Sequence, residues 1–457
     1  MAAATPIDLA DIQGDILRAY GNAYARTTYV FLEVGDAAEG RAWLGGQIDA
    51  VTTAEPWTEG KPDCAKNLAF TYAGLAALGV PQPALDSFSG EFCKGMSGRA
   101  DLLGDTGPSA PSGWDDGLGV GRAHVLVTLN ARSDETLESA LEALVNGLPA
   151  SMRVVHTEHG KLLEGAREHF GYSDGFAQPA IEGVTDEKAA GGGVPLEGGA
   201  WRPLALGEFI LGYPDEDARD DPGRLPSAPT PPLDRSGTYL VWRKLHQDVA
   251  AFRRSLREGA KRYHDGDEEK LAAKVVGRWR DGTPLMLSPD APDPTFSPST
   301  PGGNDFRYWG IDDAGTRCPI GAHIRRSNPR DSLGWEGLLS FRHRMIRRGM
   351  PYGPALPEGA ENDGVDRGLV FACFVGSISR QFEAVQTQWL NDGNIFHLGH
   401  DRDFMLGDPT GTGKMTVEGD PPFFFGPQGN YVTTRGGEYL FVPGMTALGA
   451  IADGVAG

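Results

Sequence analysis

Runs of β-branched and aromatic residues recur along the chain: TTYVFLEV (27–34), AHVLVTLN (123–130), MRVVHTEHGKLL (152–163), TYLVWRKLHQD (238–248), GLVFACFV (368–375) and EYLFVPG (438–444). Side chains of these types fit a pleated, half-buried surface, so each run predicts a strand. Between them, apolar positions return at helical spacing in SDETLESALEALVNGL (133–148), QDVAAFRRSLREGAKRY (247–263) and SRQFEAVQTQWLND (379–392), which predicts three helices. No glycine-rich phosphate loop follows the first strand. The pattern therefore speaks against a dinucleotide-binding parallel sheet and for an α+β arrangement, with helices over antiparallel sheets.

Two long segments carry neither period: GEFILGYPDEDARDDPGRLPSAPTPPLDRSG (207–237) and MLSPDAPDPTFSPSTPGGND (286–305). Proline and glycine at that density predict long surface connections, of the kind that line a site when they are ordered. The first divides the chain into two halves of similar plan, 1–205 and 238–457, joined by a connection over 206–237. A repeat between the halves is not provable from the residues.

Composition narrows the function. With 457 residues the chain exceeds one compact core, and 40% hydrophobic content belongs to a folded protein. A formal net charge of −20 repels phosphate backbones, so no nucleic-acid partner is expected. Cys64, Cys93, Cys318 and Cys373 form no CxxC pair, which removes cysteine-based metal centres and a disulfide scaffold. The start, MAAATPIDLADIQGDIL, has no basic stretch followed by an apolar core, and no membrane segment is expected. The expectation is a cytoplasmic protein, with secretion of a processed form left open.

Chemistry concentrates in a few places. In EHFGYSDGFAQPAIEG (168–183), Asp174 lies between Gly171 and Gly175, which let a backbone turn sharply beside a bulky ligand. His323 stands in RCPIGAHIRRSNPRDS (317–332), with Gly321 and Ala322 before it and Arg325, Arg326 and Arg330 after it. Small neighbours admit a flat ligand to the imidazole, and arginines hold carboxylates. Haem would use both, an axial nitrogen and cations for two propionates; a satisfied core histidine beside a basic patch is the plainer alternative. Of the other histidines, His156 and His159 sit in a strand run, His264 in a charged turn, and His343 among arginines, where a solvated or ion-paired role is expected. MIRRGMPYG (345–353) reads as a strand end entering a tight turn. GDPTGTGKM (407–415) misses the phosphate-loop spacing and is discarded.

In their order along the chain these segments resemble the dye-decolorising peroxidases, a haem peroxidase family, and within it the large subgroup that includes the fungal enzymes. The likeness runs through DIQGDIL (11–17), NLAFTYAGLAALG (67–79), FCKGMSGRADLLGD (92–105), FGYSDGFAQP (170–179), QDVAAF (247–252), AAKVVGRWRDGTPL (272–285), CPIGAHIRRSNPR (318–330), IRRGMPYG (346–353) and GLVFACF (368–374). The resemblance implies two ferredoxin-like halves of the dimeric α+β barrel type, each an antiparallel β-sheet with peripheral helices. It implies one haem b per chain, held mainly by the C-terminal half with His323 as iron ligand. Hydrogen peroxide would be reduced and dyes or phenols oxidised through a high-valent iron–oxo state.

On the same resemblance Asp174 is the acid–base group acting on peroxide, and Arg347 stabilises the charge that develops on it. Leu369 and Phe371, two apart on a strand and so on one face, wall the peroxide side. Arg325 is the propionate partner. The carboxylate behind His323 is Asp401, Asp403 or Glu383, with Asp403 preferred. Trp389 matches a position that relays electrons from the surface, with core packing as its alternative. An aspartate base predicts highest activity well below neutral pH. A homo-oligomer is left open. The competing functions are a haem carrier for transport or iron release, which would need His323 but not Asp174 with Arg347, and a related α+β haem enzyme acting on chlorite or on haem propionates.

Overall fold

The computed structural model describes residues 6–175, 177–185, 190–196, 200–221, 224–263, 266–297 and 300–454; His264 lies outside them. Strands β1 (Arg26–Val34), β2 (Cys64–Phe70), β3 (Val125–Ala131) and β4 (Met152–Lys161) pair antiparallel in the order β2-β3-β1-β4. The C-terminal half repeats the plan with β5 (Thr238–Gln247), the short pieces β6 (Ile346–Arg347) and β7 (Met350–Tyr352), β8 (Gly368–Val375) and β9 (Val432–Val442). Here β5 lies between β9 and β8, and β7 and β6 pair with the far edge of β8. In both halves the first strand sits between the third and fourth, which is the ferredoxin-like order.

The two sheets close on each other. Phe441 of β9 pairs with Phe70 of β2, and Gly160 of β4 pairs with Tyr352 of β7. Closure into a barrel leaves no exposed edge to template another chain. Alternation then sorts each strand's side chains. On β8, Val370, Ala372 and Phe374 enter the barrel interior with Phe31 and Trp242, while Leu369 and Phe371 face outward opposite Leu245 and Arg243 of β5. That outward face of the C-terminal half is the floor of the site.

Helices cover the outer faces where the sequence predicts them, at Asp134–Asn146 and Val249–Ala260. The first is capped by Ser133 and the second by Asp248, whose side chains accept from the third residue on. The third predicted helix is wound as π-helix over Ser379–Glu383 and Val385–Leu390. The N–H of Glu383 donates to Ile378 O and that of Asn391 to Gln386 O, both five residues back. This wide turn presents Phe382, Val385, Gln386 and Leu390 to the cavity described below.

Two expectations need revision. Strand β2 is absent from the sequence-based set because CAKNLAF carries polar Lys66 and Asn67; pairing with β3 along its whole length, not its own pattern, makes it a strand. The 207–237 segment is no plain surface connection. Its GEFILGY start buries Phe209, Ile210, Leu211 and Tyr213, and Glu208 (1% exposed) pairs with Arg342 and Arg380 across the chain at 3.0 and 2.8 Å. Apolar side chains at a loop's entry outweigh the prolines that follow. Among the described residues no helix is long and apolar enough to cross a membrane.

Candidate active site

A cavity of about 290 Å³ lies between the outward face of β5 and β8, the π-helical segment, the helix starting at His323 and the loop carrying Asp174. Its walls are mostly apolar, with a few charged groups converging on it. Leu369 and Phe371 both line it, as their spacing on one strand requires.

His323 is the first residue of a short helix, His323–Ser327, after an extended Ala322. Its Nδ1 meets Asp403 Oδ2 at 3.0 Å, the ring's single hydrogen bond among the described residues. Asp403 is fully buried and its other oxygen accepts from the N–H groups of Met405 (3.0 Å) and Leu406 (3.2 Å). Burial alone would raise that carboxyl, but His323 and these donors hold it below the usual aspartate range. Burial would likewise lower His323, and Asp403 reverses this and raises it. The pairing aims the remaining ring nitrogen, Nε2, at the cavity side without a protein partner. Of the other carboxylates considered, Asp401 is taken by Lys414 at 2.6 Å, and Glu383 by Arg99 at 2.6 Å and by the Tyr439 hydroxyl at 3.1 Å.

Asp174 sits in a loop braced by a residue the sequence reading passed over. Glu168 accepts from Phe170 N–H (2.9 Å) and Tyr172 N–H (3.1 Å), and from Gln247 Nε2 on β5 (2.8 Å). Gly171 (φ +102°) and Gly175 (φ +96°) occupy backbone conformations open mainly to glycine. A Cβ on Gly175 would meet nothing within 4 Å, so the turn itself, not crowding, requires that glycine. The Asp174 side chain lines the cavity and is 66% exposed, and Arg347 Nη2 approaches its Oδ1 at 3.5 Å. Burial within the surrounding walls pushes the carboxyl up, but Arg347 and the Gly175 N–H outweigh it, so the acid is held below its ordinary value.

Arg347 is fixed by the same loop. Gln178 Oε1 accepts its N–H at 3.1 Å, Gln178 Nε2 donates to its carbonyl at 3.1 Å, and its Nη1 donates to Ala177 O at 3.0 Å. One side-chain amide thus completes both hydrogen bonds of a strand partner for Arg347. Gln178→Ala is expected to destabilise the protein by about 1–3 kcal/mol by orphaning the Arg347 N–H, while the carbonyl keeps its bond from Arg348. The readout is the denaturation midpoint, and an unchanged midpoint would count against the bracing role.

Arg325 does not face the cavity, contrary to its expected propionate contact. It is 3% exposed, its guanidinium bonds Asp312 Oδ2 (3.2 Å), Asp312 O (2.9 Å) and Cys318 O (2.8 Å), and it lies over the Tyr308 ring at 4.2 Å. On a helix, a residue two past His323 points about 200° away from it, so adjacency in sequence misled. The arginines that do line the cavity include Arg330 and Arg344. Arg344 Nη2 is buried without a hydrogen-bond partner, and burial beside Arg330 and Arg347 pushes its guanidinium down to about 9. Its Nη1 donates to Gly191 O at 3.3 Å, so Nη2 is the donor left without a partner among the described residues, and a buried donor of a cation is costly unless an acceptor completes it.

His343 also lines the cavity, with Nδ1 against Arg380 O, and is therefore neither solvated nor ion-paired. Its ring meets that of Trp389 at 4.8 Å; Trp389 is 2% exposed, so core packing describes it and it offers no surface to a bulky molecule. The discarded 407–415 loop curls around its own acid. The Asp408 carboxylate accepts from the N–H groups of Thr410, Thr412 and Gly413 at 2.9, 3.0 and 2.6 Å, filling the place a phosphate would take.

The protein is a closed α+β barrel of two ferredoxin-like halves, with a histidine–aspartate pair and an aspartate–arginine pair at one cavity. A family model, the DyP dimeric alpha+beta barrel domain, matches residues 11–162. A multifunctional dye peroxidase of an Amycolatopsis species is 34% identical over 98% of this chain and 96% of its own length. A dye-decolorizing peroxidase of Mycena epipterygia is 30% identical over 98% of this chain and 87% of its own. A solved dye-decolorizing peroxidase in complex with 2,6-dimethoxyphenol superposes with a TM-score of 0.78 at 27% identity, covering 98% of this chain and 100% of that one. The chain belongs to the dye-decolorizing peroxidase family.

Proposed function

We propose that the protein is a haem peroxidase that reduces hydrogen peroxide and oxidises organic reductants, among them dyes and phenols. The observation that carries this reading is Asp174 and Arg347 meeting at the cavity that also holds His323, since a carrier of haem would need only the histidine. The dimethoxyphenol complex of a relative supports phenols as a reductant class.

The residues present fit one haem b per chain. His323 has Nδ1 committed to Asp403 and Nε2 left for a metal, the arrangement that fixes the tautomer and makes an imidazole electron-rich. The unpartnered Arg344 Nη2, with Arg330 beside it, suits the two carboxylates of that group. Haem, when bound, supplies the iron at which peroxide is reduced.

Every other task falls to side chains. Asp174, ionised and open to the cavity, would take a proton from the peroxide oxygen nearer the metal and return it to the departing one. Arg347, held at 3.5 Å from that carboxylate, would stabilise the negative charge that builds as the O–O bond breaks. Leu369 and Phe371 line the same cavity as Asp174 and would favour entry of a small oxidant over a bulky reductant.

The test is stopped-flow mixing of haem-loaded protein with one equivalent of hydrogen peroxide. Rapid loss of the resting Soret band supports the reading, whereas a band that persists for minutes gives the carrier reading the lead. The pH dependence follows from the direction of the Asp174 shift. Its folded pKa is depressed, so the reactive base is present above that value and lost as pH falls through it. The peroxide rate constant is expected to hold from neutrality down to pH about 4 before declining. A rate that peaks at neutral pH and collapses by pH about 5 would exclude Asp174 as the base.

A further inference from the structure

The DIQGDIL segment (11–17) has no part in the site as described so far. It forms one short helical turn, Gly14–Leu17, stitched to both barrel halves. Gln13 is fully buried; its Oε1 accepts Leu68 N–H at 2.9 Å, and its Nε2 donates to Leu68 O at 2.9 Å and Pro443 O at 3.0 Å. A Cβ on Gly14 would stand 2.6 Å from Thr53 O, so the turn sits flush against its neighbour. The acid before it, Asp11, receives the N–H groups of Met445 and Thr446 near the C-terminus at 2.8 and 2.7 Å.

The free carbonyls of this turn point at one guanidinium. Arg348 donates through Nε to Asp15 O at 2.9 Å, through Nη2 to Ile16 O at 3.0 Å, and through Nη1 to Arg347 O at 3.0 Å. Its own N–H donates to Ala372 O on β8 at 2.7 Å. A guanidinium presents its donors in a rigid planar fork, so three carbonyls from two distant segments are held in one relative position.

We propose that the 11–17 segment is a positioning element for the reactive arginine, acting through the Arg348 fork on the Arg347 backbone. The inference rests on the role given to Arg347 above. Arg347 O is then gripped from two sides, by Gln178 of the Asp174 loop and by Arg348 of the N-terminal latch. With its peptide held from both directions, the Arg347 side chain reaches toward Asp174 from a fixed backbone. The contact is 3.5 Å long, and a displacement of about 1 Å in such a group costs as much as 10²-fold in rate. Burial raises the Asp15 carboxyl to about 7 and lowers the Arg348 guanidinium to about 10, each partly offset by the other, with Tyr20 the further titratable neighbour of both.

The experiment uses the haem-loaded full chain with Arg348→Lys and Arg348→Gln, each made alone and combined with Arg347→Leu. The readouts are the stopped-flow peroxide rate constant, the Kd of cyanide, the Soret position and the thermal midpoint. In the haem-free protein, backbone hydrogen exchange over 346–350 is followed as well. The expected result is a fall of about 10–100-fold in the peroxide rate for either variant, with weaker cyanide binding, an unchanged Soret position and faster exchange at 346–350. In the Arg347→Leu background the same substitutions are expected to have no further effect, because they act through the missing side chain. Equal losses in both backgrounds, or no loss in the first, overturn the proposal. Loss of haem or of folding in both variants also overturns it, since Arg348 would then support the whole fold. If Arg347→Leu is itself silent, the role of Arg347 falls first; a damaging Arg347→Leu beside a silent Arg348→Lys refutes the latch alone.

Discussion

Asp174→Asn in the haem-loaded protein is expected to slow the reaction with hydrogen peroxide by about 10²–10⁴-fold, the usual worth of a positioned acid–base group. Asparagine preserves the shape and the Gly175 N–H contact at 2.6 Å, so the loop has no reason to move. It removes only the ability to take up a proton. The Arg347 guanidinium stays within reach of an amide oxygen and continues to hold anionic charge. Single-turnover mixing separates this from a binding defect, because a weaker initial complex is overcome by more peroxide and a missing base is not. A variant within threefold of the parent protein would show that some other group carries the proton, and Glu168 lies too heavily hydrogen-bonded in its own loop to substitute without unfolding it.

Asp403→Asn is expected to weaken haem retention by about 10–100-fold, as loss of a partner behind a metal-binding histidine does. The hydrogen-bond inventory of the site dictates the direction. One oxygen must keep accepting from Met405 and Leu406 N–H, so an asparagine would turn its carbonyl there and aim its NH₂ at His323. The imidazole would then have to accept at Nδ1 and carry its proton on Nε2, the nitrogen needed for the metal. Haem transfer to an apo-globin acceptor measures the loss as a faster off-rate. An unchanged off-rate would mean that His323 is oriented by packing rather than by Asp403.

Much of the cavity lining was legible in the sequence. Asp174, His323 and Arg347 stand in segments whose glycines, small residues and paired arginines are unusual, and the order of those segments resembles one family. Leu369 and Phe371 followed from strand alternation. Glu168 and Gln178 were not found, although both lie in the quoted stretch from 168 to 183. Their roles consist mainly of hydrogen bonds to backbone groups, and such bonds leave no compositional trace. Arg344 and Arg330 were passed over in favour of Arg325, which is closer to the histidine in sequence and turned away from it in space.

Most strand and helix segments and the α+β class were determined by the residues alone, because alternation and helical spacing are local properties that each segment carries within itself. Barrel closure was not local. It depends on Phe441 meeting Phe70 and Gly160 meeting Tyr352, pairs separated by hundreds and by nearly two hundred positions. The same holds for the choice of Asp403 over Asp401 and Glu383, the burial of Trp389, and the clasp of Arg348 by the carbonyls of residues 15 and 16. Each is decided by which distant groups compete for one hydrogen-bond partner or one patch of apolar surface, and only the folded chain brings those competitors together.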